Sequence, residues 1–238
     1  MENFRNLKIG YWNCQGLSER KWIRAINAIT EADLDILFLA ETWFIDHESH
    51  AAHPMFFVST PRILPVPAFG HEQAGIVCLV TQGTRKQISS ACLTRYTVNI
   101  KINGHDIMAV YFPPSLKPDK IAEHIPDTHL SVLIGDINAF FGVQYGTKKI
   151  GPLARCNLFR KICSEKSLNH MFPDPLGPTP DHAFVHSSLV ASYSFENYCH
   201  GLSDHKFMLL RLDIKINYTL NINSDDFKFN LKPLLIPA

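Results

Sequence analysis

The chain has little to offer a membrane, a disulfide framework or a zinc ribbon. No run approaches the roughly 18 to 20 apolar residues that span a bilayer, and the opening MENFRNLK lacks the apolar core of a secretory signal. The six cysteines, Cys14, Cys78, Cys92, Cys156, Cys163 and Cys199, never adopt the C-x-x-C spacing common to structural zinc sites. A soluble intracellular protein with reduced thiols is the expectation. Charge of one sign is also missing, since 23 Lys and Arg stand against 22 Asp and Glu for a net +1. Any attraction to phosphate must therefore come from a local patch. There is no internal repeat and no low-complexity tract.

What is present is enough apolar substance for a large core: 238 residues, 46% of them hydrophobic. One domain over 1–216 is expected. From Asn217 the composition turns to Asn, Asp and Lys with a proline-containing end, which reads as a peripheral tail over 217–238. Leu7 to Trp12 reads as a strand and Ser18 as the cap of a helix whose Trp22, Ile26 and Ile29 recur at helical spacing. Ile36 to Ala40 is a continuous apolar run suited to a strand covered on both faces. Further strands are expected near Phe56 to Ser59, Gly75 to Thr81, Tyr96 to Ile102 and Asp106 to Phe112, the last two joined by the hairpin signal Asn103-Gly104. Lys117 to His124 reads as a short helix, Ser131 to Gly135 as a strand, and Pro152 to Lys166 as a helix with Leu153, Cys156, Phe159 and Ile162 inward. Strands near His182 to Val185, Ala191 to Asn197 and Lys206 to Ile214 complete the reading. Two strand-rich halves, each with its own helix, imply an α/β sandwich of two packed sheets flanked by helices.

Polar residues stand at the ends of these apolar runs: Asn13, Glu41, Asp136 with Asn138, Asp181, and Ser203-Asp204-His205. Metal-binding and water-activating side chains are costly to bury, and a sheet can collect them along one edge, so the pattern predicts a metal-dependent phosphodiesterase. Glu41 suits Mg²⁺ or Mn²⁺, which prefer hard oxygen ligands; it equally suits the capping of a turn. In GDINA, Asp136 can orient a water or protonate a departing oxygen and Asn138 can donate to a phosphate oxygen, although both are also common turn formers beside glycine. His205 titrates near neutrality and Asp204 beside it can hold metal or water, while Asp181 can fix the imidazole's tautomer or simply make a T-P-D turn. Tyr111 can donate its phenol to a phosphate or serve as a half-buried strand aromatic.

Taken in order, WNCQGL, LAETW, VYFPPS, GDINAFFG, PTPDHAF and SDHKFMLLRL resemble the exonuclease, endonuclease and phosphatase superfamily, the DNase I-like fold, from about Leu7 to about Asp213. Within it the chain looks most like the endonuclease domain of non-LTR (LINE-type) retrotransposons, on the Asp181-His182 dipeptide and the two prolines after Tyr111. Apurinic-site enzymes usually carry an acid where this chain has Gln15. The family usually has an aliphatic residue where this chain has Pro180, which lacks a backbone donor.

The resemblance implies a four-layer α/β/β/α sandwich of two mostly antiparallel sheets. It implies that Glu41, helped by Asn13 and Asp204, holds Mg²⁺, with Mn²⁺ as a substitute. Asp136 would manage the proton of the water or leaving oxygen, Asn138 and Tyr111 would bind the scissile phosphate, and His205 with Asp181 would complete the acid/base system. Thr179, Ser203, Lys148 and Lys149 are expected to contact substrate. The expected product is a nick with a 5′-phosphate and a 3′-hydroxyl in DNA, made in the nucleus and extendable by a reverse transcriptase domain of the same polyprotein. Other phosphodiesters on the same fold, or DNA binding without cleavage, are the alternatives. Between Ile137 and His170, Lys148, Lys149, Arg155, Arg160, Lys161 and Lys166 face one acid, Glu165, for a local net +5 that suits phosphate contacts or a solvated helix face.

Overall fold

Strand β1 (Phe4–Asn13) fixes the frame, because its alternation serves two cores at once. Leu7, Ile9 and Tyr11 enter the layer between the sheets, while Trp12 packs outward beneath helix α1 (Glu19–Glu31). The helix begins as its sequence dictates, with the Ser18 hydroxyl accepting from the Lys21 N–H and Glu19 in the first turn. Its buried stripe is Trp22, Ala25, Ala28 and Ile29; Ile26 is only partly covered. The computed structural model describes residues 4–43, 56–59, 74–146 and 149–217.

The first sheet has the order β13 (Ala191–Glu196), β14 (Phe207–Asn217), β1, β2 (Ile36–Ala40), β4 (Ile76–Val80), β3 (Phe56–Ser59). The second has the order β11 (Leu168–His170), β12 (Asp181–His186), β8 (Val132–Asp136), β7 (His105–Tyr111), β6 (Thr97–Ile102), β5 (Ile88–Leu93). A small hairpin joins β9 (Phe140–Phe141) to β10 (Ile150–Gly151). Helix α2 (Gln82–Arg85) is a single turn, and α3 (Pro118–Glu123) and α4 (Leu153–Glu165) contribute Ile121, Cys156, Phe159 and Ile162 to the core outside the second sheet. Helices, sheet, sheet and helices make the expected four layers. Asn103 and Gly104 take φ of 48° and 83° and close the expected β6–β7 hairpin.

Among the strand pairs of the described residues, only β1–β2 and β7–β8 run parallel, and a helix, α1 or α3, connects each pair. Parallel neighbours require such a crossover, and they end at the same edge of their sheet. Asn13, Glu41, Tyr111 and Asp136 therefore arrive together. The antiparallel partners start there: Asp181 opens β12 opposite Asp136, and His205 stands two residues before β14.

The halves are not consecutive in sequence, as the strand count suggested. β13 and β14 return to the first sheet beside β1, placing Asn217 opposite Phe4. Strand pairing over such a separation leaves no local signature. β5 was not expected at all; its ISSACL is an exposed edge with few β-branched residues. Asn217 belongs to β14, and 218–238, the rest of the expected tail, lie outside the described residues.

Candidate active site

The rim is organised by one amide. Asn13 Nδ2 donates to Glu41 Oε1 at 2.8 Å and to Asp136 Oδ2 at 3.0 Å, bridging carboxylates from the two sheets, while its Oδ1 accepts the Gln15 N–H at 3.2 Å. Glu41 Oε2 also accepts from Trp43 Nε1 at 3.4 Å, and the Tyr111 phenol hydrogen-bonds the same carboxylate. Burial raises the proton affinity of Glu41 and these bonds oppose the rise.

The backbone is held in rarely populated conformations here. Gln15, Glu41, Trp43 and Asn138 all have positive φ, at 48°, 52°, 64° and 50°. Such non-glycine residues cost about 1 to 2 kcal/mol each and gather where surrounding structure over-determines them. Gly135 at φ 145° is required for closeness: a Cβ there would meet the Val110 carbonyl oxygen at 2.1 Å.

Asp136 is 1% exposed, and both its oxygens are engaged, Oδ2 by Asn13 and Oδ1 by the Asn138 N–H at 2.8 Å. Burial, then the charge of Asp181, pushes its carboxyl up to about 8 against the opposing pull of His205. His205 Nδ1 lies 2.7 Å from Asp181 Oδ2, and its Nε2 lies 4.0 Å from Asp136 Oδ2 and 3.6 Å from Asp204 Oδ1. Burial opposes the charge on the imidazole, but Asp181, Asp136 and Asp204 outweigh it and hold the ring protonated up to about 10.

Pro180 does not disturb this pairing. Its carbonyl accepts the Ile137 N–H at 3.1 Å, Asp181 opens the strand, and the Asp181 N–H finds Thr179 Oγ1 at 2.9 Å. The proline sits where the strand begins, so its missing donor interrupts no ladder bond.

The structure thus brings Asn13, Glu41, Tyr111, Asp136, Asp181 and His205 together. Asn138 flanks them, its Nδ2 donating to the Phe112 carbonyl at 3.1 Å. Ser203 fastens the rim instead of opening onto it, donating to the Asn13 carbonyl at 2.8 Å and receiving the His205 N–H at 3.1 Å. Thr179 Oγ1 donates to Asp181 Oδ2 at 3.3 Å. Asp204 lies at the open side, its side chain 77% exposed and its Oδ1 3.6 Å from His205 Nε2. Lys149 is exposed, with its ammonium 4.3 Å from the Phe140 ring, and Lys148 lies outside the described residues.

Ligand atoms of Glu41, Asp136 and His205 lie within 4.8 Å of one another; with His205 held as a cation by Asp181, the two carboxylates are the groups that one cation could share. Two carboxylates and few other protein donors fit a hard divalent ion that keeps several waters. Asp181 Oδ1 is buried and lacks a hydrogen-bond partner among the described residues, a further sign that the rim is built for something polar.

The expected basic stretch needs correction at Arg155. It is 2% exposed, while Leu153, expected inside, is 63% exposed. Its guanidinium donates to the carbonyls of Phe112, Ile137, Pro113, Pro114 and Leu116 at 2.6 to 3.3 Å, clamping the loops after Tyr111 and Asp136 together. Its two terminal nitrogens answer a cluster of carbonyls that no strand satisfies, so it cannot meet a phosphate. Lys161 pairs with Glu165 at 3.7 Å, and Lys166 donates to the Thr128 carbonyl at 3.3 Å.

Three further residues escaped the sequence reading. Tyr11 donates to the Val110 carbonyl and accepts the Asp136 N–H, both at 2.9 Å. Its signal was its place two residues before Asn13, on the same face of β1. His182 Nε2 donates to the Ala139 carbonyl at 3.0 Å, and its Nδ1 lies 3.0 Å from His170 Nε2. Burial depresses both imidazoles, to about 4 and about 2, so this pair ties β12 to the Asn138 loop in neutral form.

No family model matches the chain, and no curated protein matches it by sequence. Solved structures do. The AP endonuclease LMAP from Leishmania major superposes with a TM-score of 0.63 at 14% identity, over 90% of this chain and 89% of that one. The 3′-5′ exonuclease NExo from Neisseria meningitidis gives 0.60 at 17% identity, over 87% and 100% of the two chains. The endonuclease domain of TRAS1, a telomere-specific non-LTR retrotransposon, gives 0.58 at 15% identity, over 87% and 98%. At these identities the likeness is one of architecture, and together with the two layered sheets it establishes that the chain has the DNase I-like fold.

Proposed function

We propose that the chain is a divalent-metal-dependent endonuclease that hydrolyses one phosphodiester of duplex DNA, leaving a 5′-phosphate and a 3′-hydroxyl. The observation that carries this reading is the convergence of Glu41, Asp136, Asp181 and His205 on one rim, with His205 Nδ1 2.7 Å from Asp181 and Nε2 4.0 Å from Asp136.

Glu41, with Asp136 beside it and Asn13 aligning both carboxylates, would hold Mg²⁺. When bound, the ion neutralises charge as phosphorus becomes five-coordinate. Burial and the neighbouring Asp181 raise the proton affinity of Asp136, so once the ion keeps it ionised it would be a ready acceptor for the proton of an attacking water. Asp181 orients His205 and keeps it cationic, so that its Nε2–H can stabilise the growing charge on the phosphate. Asn138 and the Tyr111 phenol flank the same space; the second N–H of the Asn138 amide, and the phenol on turning from Glu41, would donate to phosphate oxygens. Asp204 and Lys149, at the open side, would meet solvent or the flanking strand.

The TRAS1 likeness and the Asp181-His182 and VYFPPS sequences support a role in target-primed retrotransposition, with the 3′-hydroxyl offered to a reverse transcriptase of the same polyprotein. Plasmid nicked by the purified protein tests this: a polymerase should extend the nick directly, without prior phosphatase treatment. An abasic duplex cut far faster than intact DNA would move the assignment to repair.

A further inference from the structure

A cavity of about 370 Å³ lies on the outer side of the first sheet between α1 and the turn joining β13 to β14. Arg20, Arg24, Asn27, Asn197, Tyr198 and His200 line it, and no carboxylate does. Arg24 braces the walls: its Nε donates to the Tyr198 carbonyl, and its two terminal nitrogens grip Glu31 at 2.7 and 2.9 Å, which neutralises that acid at the end of the helix. Arg20 is exposed and makes no hydrogen bond or ion pair among the described residues.

The cavity adjoins the rim already described. Leu202 lines it and the next residue, Ser203, is bonded to the Asn13 carbonyl, while α1 begins three residues after Gly16. Arg20, Arg24 and Asn27 share one helix face, about 10 Å long at 1.5 Å per residue. One nucleic-acid strand advances about 3.4 Å per nucleotide, so the face matches roughly three. Cations, amides and a phenol, with the neighbouring Glu31 and Glu196 paired to Arg24 and Arg211, are the chemistry that receives phosphate oxygens and sugar edges independently of base sequence.

We propose that this groove binds the sugar-phosphate backbone of the DNA strand on one side of the cut. The proposal rests on the nuclease reading only for its choice of DNA as substrate, and binding can be measured without cleavage. Fluorescence anisotropy of the full chain with a labelled duplex in EDTA, across a salt series, supplies the test. Arg20→Glu and Asn197→Asp, both on the surface, should each weaken binding by about fivefold, and Arg20→Glu should lower the log-log salt slope by about one. Lys120→Glu, outside the groove, serves as the control. Hydroxyl-radical footprints should lose protection over about three nucleotides on one side with Arg20→Glu.

Affinities and footprints equal to those of the control would overturn the proposal, as would failure of the wild-type chain to bind duplex DNA. A chain that binds through Arg20 and Asn197 yet never nicks would leave the groove standing and remove the nuclease reading.

Discussion

The hydroxyl of Tyr11, on the first sheet, accepts the backbone N–H of Asp136, on the second, at 2.9 Å. The hydroxyl in turn donates to the Val110 carbonyl, so one buried phenol registers β1 against β7 and β8. Two residues further along β1, Asn13 meets the same aspartate through its side chain. Sheet packing and the alignment of the candidate site therefore share one strand.

Tyr11→Phe keeps the ring and removes both bonds. Leaving the partners unsatisfied should lower unfolding free energy by about 1 to 3 kcal/mol in denaturant titration. Nicking should slow while DNA affinity holds. Unchanged stability would mean that the phenol does not register the sheets.

His205 owes its proton to Asp181. Its folded-state value, near 10, is above the ordinary 6.5, so the stabilisation it contributes is complete below pH 6.5 and is lost as pH rises through about 10. In EDTA the imidazole should remain protonated at pH 8 by NMR. Asp181→Asn should bring its titration down and slow nicking about a hundredfold or more.

His182 shifts the opposite way, to about 4 against 6.5. It stays neutral when folded and charges when unfolded, so stability is lost as pH falls from about 6.5 toward 4. That loss is about 2 kcal/mol at pH 5. His182→Gln, which retains a donor for the Ala139 carbonyl, should flatten the pH profile measured by denaturant unfolding.

Arg155→Ala strands a group of buried carbonyls and should cost on the order of 3 kcal/mol. Arg155→Lys should recover part of the stability, because an ammonium cannot reach all five acceptors. Neither substitution should alter the salt slope of DNA binding; a reduced slope would show that the guanidinium contacts phosphate.

Asn13, Glu41, Asp136, Asp181 and His205 were legible in the sequence because each stands at the end of an apolar run, where a polar side chain must be satisfied or used. Most strands were legible for the same reason of periodicity. Tyr11 and Arg155 were not, since an aromatic in a strand and an arginine on a helix have ordinary readings, and their partners lie 125 and about 40 positions away. The return of β13 and β14 to β1 was hidden likewise, because pairing between chain ends is decided by the closed core.

The most direct test of the site as a metal-dependent nuclease is the conversion of supercoiled plasmid to nicked circles as Mg²⁺ is titrated into EDTA-treated protein, with Glu41→Ala and His205→Ala alongside. Wild-type protein should nick only when the ion is restored, and both variants should be inert. Nicking that persists in EDTA, or that survives either substitution, would contradict the account.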